Sequence, residues 1–316
     1  MSPNRLAHSL CGEASENEQL RVVKHLCSGA TVLDFGVEAA GSLRAGILLA
    51  QACMGSLAEI SIVPCAPERL GVENAVSVFT DSPLLSCLGC QYAGWPVQTD
   101  DFFAMGSGPM RLLRGREAML LDLKLGDANA DRCFGVLEAD RLPTDAAVTL
   151  IAKECSIAPS QLTLAVAPST SIAGGVQIVS RSIETALHKL HELQFDVRQI
   201  VSATGSAPLP PPARAGNSIE GIGRTNDAML YGASVTLWVD CEDEAVAEVI
   251  EKTPSCGSKD HGRPFVEVFA DYDHDFYKVD PALFSPARVT IHNLRSGKSF
   301  SAGEIRRDIL VRSFGV

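Results

Sequence analysis

No apolar run in this chain reaches the roughly 18 residues that a helix needs to span a bilayer, so a helical membrane anchor is not expected. The N-terminal stretch Met1-Ser-Pro-Asn-Arg-Leu-Ala-His8 is polar and has no secretory apolar segment, and a cytoplasmic location is the expectation. Positive charge is scarce as well. Lys and Arg number 27 against 38 Asp and Glu, and the net charge of −11 argues against a general nucleic-acid or anionic-membrane surface. An acidic chain still binds an anion where basic residues cluster, and Arg111, Arg114 and Arg116 are the best local candidates, beside their commoner reading as a solvated helix end. No disulfide framework is legible: the ten cysteines are scattered without a repeating pattern. Cys87-Leu-Gly-Cys90 matches CxxC, but neither a second CxxC nor a nearby His completes a zinc set, and buried reduced thiols are the preferred reading. Internal repeats and low-complexity tracts are also missing.

What is present is the composition of an ordinary globular protein, 46% hydrophobic and 21% charged, in a chain of 316 residues that is long enough for two lobes. Strand and helix patterns alternate, which predicts a mixed α/β fold. Strands are expected at 31–36, 57–63, 75–80, 133–137, 162–167, 234–239 and 287–291. Helices are expected at 43–54, from Asp81-Ser-Pro83 through the CxxC, at 144–155, at 176–193 and at 242–251, with a closing helix from near Gly303. Gly205 to Gly216 holds four prolines and reads as an extended connector rather than regular structure. The lobes are placed at about 1–125 plus 278–316 and at about 126–277.

The segment from Ala167 to Leu190 is the most informative. It leaves an apolar strand, passes a turn with Gly174 and Gly175, and enters the long helix, a junction where α/β proteins place binding and catalytic groups. Arg181 and Glu184 are three residues apart and share a helix face, a carboxylate suited to act as a base beside a guanidinium that would hold it. The plainer reading is a surface ion pair worth ~0.3 kcal/mol, and spacing alone prefers it. Glu184, His188 and His191 also fall at helical spacing for a metal, but solvated histidines are the preferred reading.

Three further motifs have two readings each. Gly106-Ser107-Gly108 precedes Pro109, and free N–H groups at such a turn can hold an anion or a carbonyl oxygen; otherwise it is only a turn. A dinucleotide fingerprint would need Gly where Arg111 stands, so a nicotinamide cofactor is unsupported. Arg224, Thr225, Asn226 and Asp227 follow glycines and suit either a grip on a heterocycle or a helix start capped by Thr225 or Asn226. Asp271-Tyr-Asp-His-Asp275 imitates a calcium loop, but Phe276 and Ala282 occupy the positions that require Gly and Glu, so calcium is rejected.

Several longer blocks are more specific. Asp34-Phe-Gly-Val-Glu-Ala-Ala-Gly41, Gln91-Tyr-Ala-Gly-Trp95, Phe103-Ala-Met-Gly-Ser-Gly-Pro109, Gly223-Arg-Thr-Asn-Asp-Ala228, Asp275-Phe-Tyr-Lys-Val-Asp-Pro281 and Ser313-Phe-Gly315 resemble the methenyl-tetrahydromethanopterin cyclohydrolases over nearly the whole chain. The resemblance implies a cytoplasmic one-carbon enzyme of two α/β lobes with a pocket between them, a homotrimer with no metal or prosthetic group. It would interconvert the methenyl and N5-formyl forms of a pterin, in methanogenesis or in formaldehyde oxidation. The family's catalytic arginine and glutamate match Arg181 and Glu184. By location in matching blocks, Gly106, Ser107, Gly108, Arg224, Thr225, Asn226 and Asp227 would hold the pterin and its tail. The proline-rich loop and the His-bearing helix resemble bacterial members more than archaeal ones. A non-catalytic pterin carrier, a folate-specific enzyme and a thiol or zinc protein using Cys87 and Cys90 are the competing readings.

Overall fold

The computed structural model describes residues 2–12 and 14–316. Two six-stranded mixed sheets organise the chain into two units, residues 1–59 with 85–178 and residues 60–84 with 179–316.

The first unit is built on the sheet order β1-β2-β8-β7-β6-β5, with β1 (Val23–Cys27), β2 (Ala30–Asp34), β5 (Trp95–Gln98), β6 (Phe103–Ser107), β7 (Cys133–Glu138) and β8 (Leu162–Ala167). The central strands β2, β8 and β7 run parallel; β1 and β6 pair antiparallel to them, and edge strand β5 pairs antiparallel to β6. Every residue of β8 is buried, as expected of a parallel strand covered on both faces. One face packs Val32, Leu164, Val166 and Leu137 with Val148 and Ile151 of α6 (Asp145–Glu154), whose start is capped by Thr144. The other face packs Leu33, Phe134, Val136 and Ala165 with Ala7 of α1 (Pro3–Cys11), Ala45 and Leu49 of α2 (Leu43–Cys53), and Ala173.

The second sheet has the order β12-β11-β10-β9-β4-β3, with β3 (Glu59–Pro64), β4 (Asn74–Thr80), β9 (Ile200–Pro208), β10 (Ser234–Val239), β11 (Arg288–Asn293) and β12 (Ser299–Gly303). Burial alternates along β10 and β11, the signature of a sheet covered on one face only. Val235, Leu237, Val289 and Ile291 point into the core, where α8 (Ser182–Glu192) and α9 (Ser218–Gly232) lie on the sheet; Ser234, Thr236 and Thr290 occupy the opposite face. Helices α11 (Phe265–Asp271) and α12 (Arg307–Phe314) pack on α9.

The expected strands are all present within a few residues, and the mixed α/β class holds. Three expectations about elements fail. The long helix at 176–193 is two helices, α7 (Ile172–Val179) and α8, separated at Ser180 and Arg181. Gly205–Pro208 is not connector but the end of β9, paired with β4 as far as Ala75↔Pro208. Proline is tolerated there because it ends the strand, where its missing N–H breaks no ladder. Gly303 does not open the closing helix; it ends β12 with a left-handed φ of 81°, and the helix begins at Arg307. The division of the chain also differs from the expected one. Residues 288–293 pair with β10, so the C-terminal segment belongs to the second sheet, and so do β3 and β4.

Candidate active site

Arg181 and Glu184 sit where the chain breaks between α7 and α8. The expected Gly174–Gly175 turn lies inside α7, because Ser171 turns the chain first, its hydroxyl accepting the Gly174 N–H at 3.0 Å. The backbone leaves helical geometry at Arg181 (φ −81°, ψ 9°), and α8 restarts with the Arg181 carbonyl accepting the Thr185 N–H at 3.0 Å. Glu184 therefore stands in the first turn of α8, where the helix dipole favours a negative charge. Ile183, Ala186, Leu187 and Leu190 bury the core face of that helix. Its first turn lies close on β9: a Cβ added at Gly205 would stand 2.9 Å from Ile183 Cγ1, and closer still to the Ser182 hydroxyl.

Arg181 Nη1 is 3.8 Å from Glu184 Oε2, and the two side chains are only 10% and 6% exposed. This burial overturns the plainer reading of a solvated surface pair. A carboxylate almost out of water beside a guanidinium is costly to assemble and easily damaged by loss of either partner. His188, one turn on, stands 4.0 Å from Glu192, and among the described residues no group of three His, Cys, Asp or Glu side chains is arranged to hold a metal.

The first unit holds Gly106, Ser107 and Gly108. Gly106 and Ser107 finish β6, paired with Leu137 and Val136 of β7, and the chain turns at Gly108, whose φ is +88°. The Gly108 N–H is not free for an anion, because it donates to the Cys90 carbonyl at 2.8 Å. Ser107 is buried, its Oγ 3.4 Å from Cys53 Sγ, and Gln177 Nε2 donates to that sulfur at 3.4 Å. The expected helix through the CxxC is a π-helix, Leu84–Gln91, in which Cys87 and Cys90 are fully buried. Burial holds the Cys90 thiol well above its ordinary range, which suits an inert structural thiol.

Arg224 to Asp227 lie in the middle of α9, not at a capped start; Asn217 is the cap. Thr225 Oγ1 donates to the Gly221 carbonyl at 2.9 Å and Asn226 Nδ2 to the Ile222 carbonyl at 2.8 Å. Arg224 pairs with Glu220 at 2.6 Å and donates to the Pro211 and Pro212 carbonyls at 3.2 and 2.9 Å, tying the proline-rich connector to the helix. Its buried Nε has no hydrogen-bond partner. Asp227 is fully buried and Oδ1 accepts the Phe265 N–H at 2.8 Å, fixing the start of α11. Burial pushes its carboxyl up to about 7, against the pull of Ser313 and the Phe265 amide.

The basic run is also occupied internally. Arg114 and Arg116 reach Glu154 at 3.4 and 2.7 Å, while Arg111 is fully buried against Glu117. No anion cluster of three free arginines exists there. In the calcium-like stretch, Asp271 pairs with Arg263 at 2.5 Å, Asp273 with Lys278 at 3.6 Å, and Asp275 accepts the Tyr277 N–H at 2.9 Å. Sequence reasoning named Arg111 only as one of an anion-binding cluster and missed its burial against Glu117. A buried arginine looks like any other residue of a basic run, and only Gly115, turning the chain so that Glu117 comes back to it, hinted at a pair.

Comparison with known proteins matches residues 2–314 to the family model described as Cyclohydrolase (MCH). A methenyltetrahydromethanopterin cyclohydrolase of Rhodopirellula baltica is 59% identical over 291 residues, covering 92% of this chain and 87% of that protein. One of Methylobacillus flagellatus is 44% identical over 321 residues, covering 99% of this chain and 95% of the relative. One of Methanocella arvoryzae is 39% identical over 317 residues, covering 100% and 98%.

Proposed function

The chain belongs to the cyclohydrolase family of these relatives, and on that premise we propose that it hydrolyses 5,10-methenyltetrahydromethanopterin reversibly to the 5-formyl compound, with Glu184 as the general base. The observation that carries the assignment of the base is the buried Arg181–Glu184 pair at 3.8 Å in the first turn of α8.

The chemistry follows from the substrate. The methenyl carbon bridges two nitrogens in a cationic amidinium and is already electrophilic, so what is lacking is a competent nucleophile. Glu184 accepts a proton as water attacks that carbon, giving a tetrahedral carbinolamine. The intermediate collapses with cleavage of one carbon–nitrogen bond: protonated Glu184 returns its proton to the departing nitrogen, the carbinolamine hydroxyl gives up its own proton to solvent as the C=O forms, and the formyl group stays on N5. The carbon keeps its oxidation state throughout, so the reaction needs no redox cofactor. Arg181 orients the carboxylate, and the carboxylate in turn offsets a guanidinium that would otherwise repel a cationic substrate. Ser107 at the Gly106–Gly108 turn and the unpartnered Nε–H of Arg224 are the polar groups proposed to bind the pterin. Thr225, Asn226 and Asp227 shape that part of α9 through their internal bonds. The same reading has the enzyme as a homotrimer in one-carbon metabolism, a state that sedimentation measures directly.

The decisive experiment is Glu184→Gln assayed by the loss of the methenyl chromophore. Removing a general base typically slows turnover by ~10²–10⁴-fold, so a kcat at least a hundredfold down with a smaller change in KM is expected. Turnover within a few fold of the parent would refute the assignment. A carrier protein would shift the chromophore without bleaching it.

A further inference from the structure

The pair of buried Arg111 with partly exposed Glu117 belongs to no step of that chemistry, yet its hydrogen bonds lead to the Gly106–Gly108 turn. Arg111 is fully buried on α4 (Met110–Arg114), and its guanidinium makes bonds in two directions. Nε donates to Glu117 Oε1 and Oε2 at 2.9 and 3.2 Å, and Nη2 also contacts Oε2. Nη1 donates to the carbonyls of Leu88 and Gly89 at 2.8 and 3.1 Å. The Tyr92 ring lies 5.1 Å from its carbon, covering the cation.

Those two carbonyls are in the last turn of the π-helix. A π-helix is a rare wide-turn geometry, held here by bonds such as Tyr92 N–H to the Cys87 carbonyl at 2.9 Å. The carbonyls at its end have no further helical N–H to accept. Arg111 takes two of them, and the next one, of Cys90, accepts the Gly108 N–H at 2.8 Å. A single chain of contacts therefore runs from Glu117 through Arg111 and the end of the π-helix to Gly108. Gly108 is the residue whose left-handed φ turns β6 toward α4 and sets where Ser107 ends.

We propose that Arg111, held by Glu117, is a positioning residue for substrate binding: it fixes the π-helix end, and through the Cys90 carbonyl the conformation of the Gly106–Gly108 turn. This rests on the reading that the turn holds the pterin. Lysine cannot replace the guanidinium here, because one ammonium cannot reach the carboxylate and two carbonyls in the same fixed fork.

The test compares Arg111→Lys, Glu117→Gln and Gly108→Ala in the full-length enzyme, with KM and kcat for the methenyl substrate and the melting temperature of each. Arg111→Lys is expected to raise KM roughly tenfold, the weight of one hydrogen bond, with kcat per folded site within about threefold. Glu117→Gln, which keeps the shape but not the charge, is expected to raise KM in the same direction and by less. It serves as the informative variant if Arg111→Lys fails to fold. A merely structural pair would lower the melting temperature and the folded fraction and leave KM of the folded enzyme unchanged. Gly108→Ala perturbs the turn itself. If it raises KM and neither member of the pair does, the positioning role is overturned while the turn remains a binding element. If it leaves KM unchanged, the turn does not hold the substrate and the proposal falls with that reading.

Discussion

Gly205→Ala isolates how far the placement of the proposed base depends on one close approach between sheet and helix. Gly205 lies on β9 beneath the first turn of α8, and it pairs with Val78 on one side and Val235 on the other. A methyl there would stand 2.9 Å from Ile183 Cγ1 and still nearer the Ser182 hydroxyl, where ordinary contact begins at 3.4 Å. Neither neighbour is the free end of a long side chain: Ser182 and Ile183 are fully buried and directly follow Arg181. Relief therefore requires α8 to lift from the sheet by on the order of 1 Å, at a typical overpacking cost of ~1–3 kcal/mol. Glu184 moves with the helix, and a misplacement of about 1 Å is enough to slow a positioned reaction by up to ~10²-fold. The expected result is a folded enzyme with a lower melting temperature and a kcat reduced between tenfold and a hundredfold by the bleaching assay. Gly257→Ala is the control, since a methyl there meets nothing closer than the Lys252 carbonyl at 3.9 Å. A Gly205→Ala enzyme with parental kcat, whatever its melting temperature, would show that α8 need not sit so close for the base to work.

Two other outcomes follow from buried groups. The Asp227 carboxyl titrates at about 7 because burial opposes its charge, well above the ~4 of an unfolded aspartate. A raised acid holds its proton in the folded state after the unfolded chain has lost it. Its contribution is thus full below pH 4, declines as pH rises to 7, and then stays level at a loss of at most ~4 kcal/mol. Asp227→Asn still accepts the Phe265 N–H, so its stability advantage over the parent should grow between pH 4 and 7 in paired urea titrations; a gap independent of pH would contradict this. The cysteines supply the other test. Exposed Cys256 should react first with a thiol reagent on the native protein, and Cys87 and Cys90, fully buried, only after denaturation. Rapid modification of the latter two would place the π-helix at an open surface and overturn their structural reading.

Much of this molecule was legible in residue order, and the physical reason is that the readable features are local. An apolar run such as Leu162–Ala167, broken only by Thr163, reads as a buried strand or helix segment, and its length and flanking turns make it a strand. Thr144 three residues before Ala147 marks a helix start because one hydroxyl satisfies one early N–H. The i,i+3 spacing of Arg181 and Glu184 survives the break because Arg181 caps the start of α8, its carbonyl accepting the Thr185 N–H of the first turn. Tertiary structure decided the rest, because the deciding partners are distant in the chain. Apolar periodicity runs straight across Ser180, and nothing in it signals that the helix stops there. Gly205–Pro208 extends as strand only because β4, more than a hundred residues earlier, pairs with it. Residues 288–293 join the second sheet through β10, which composition cannot announce. Whether Arg111 is solvated or buried, and whether Arg181 and Glu184 form a surface ornament or a shielded pair, depended on what the fold placed over them. Charge and spacing name the candidates; burial, which is a property of the whole packed chain, determines what their charges can do.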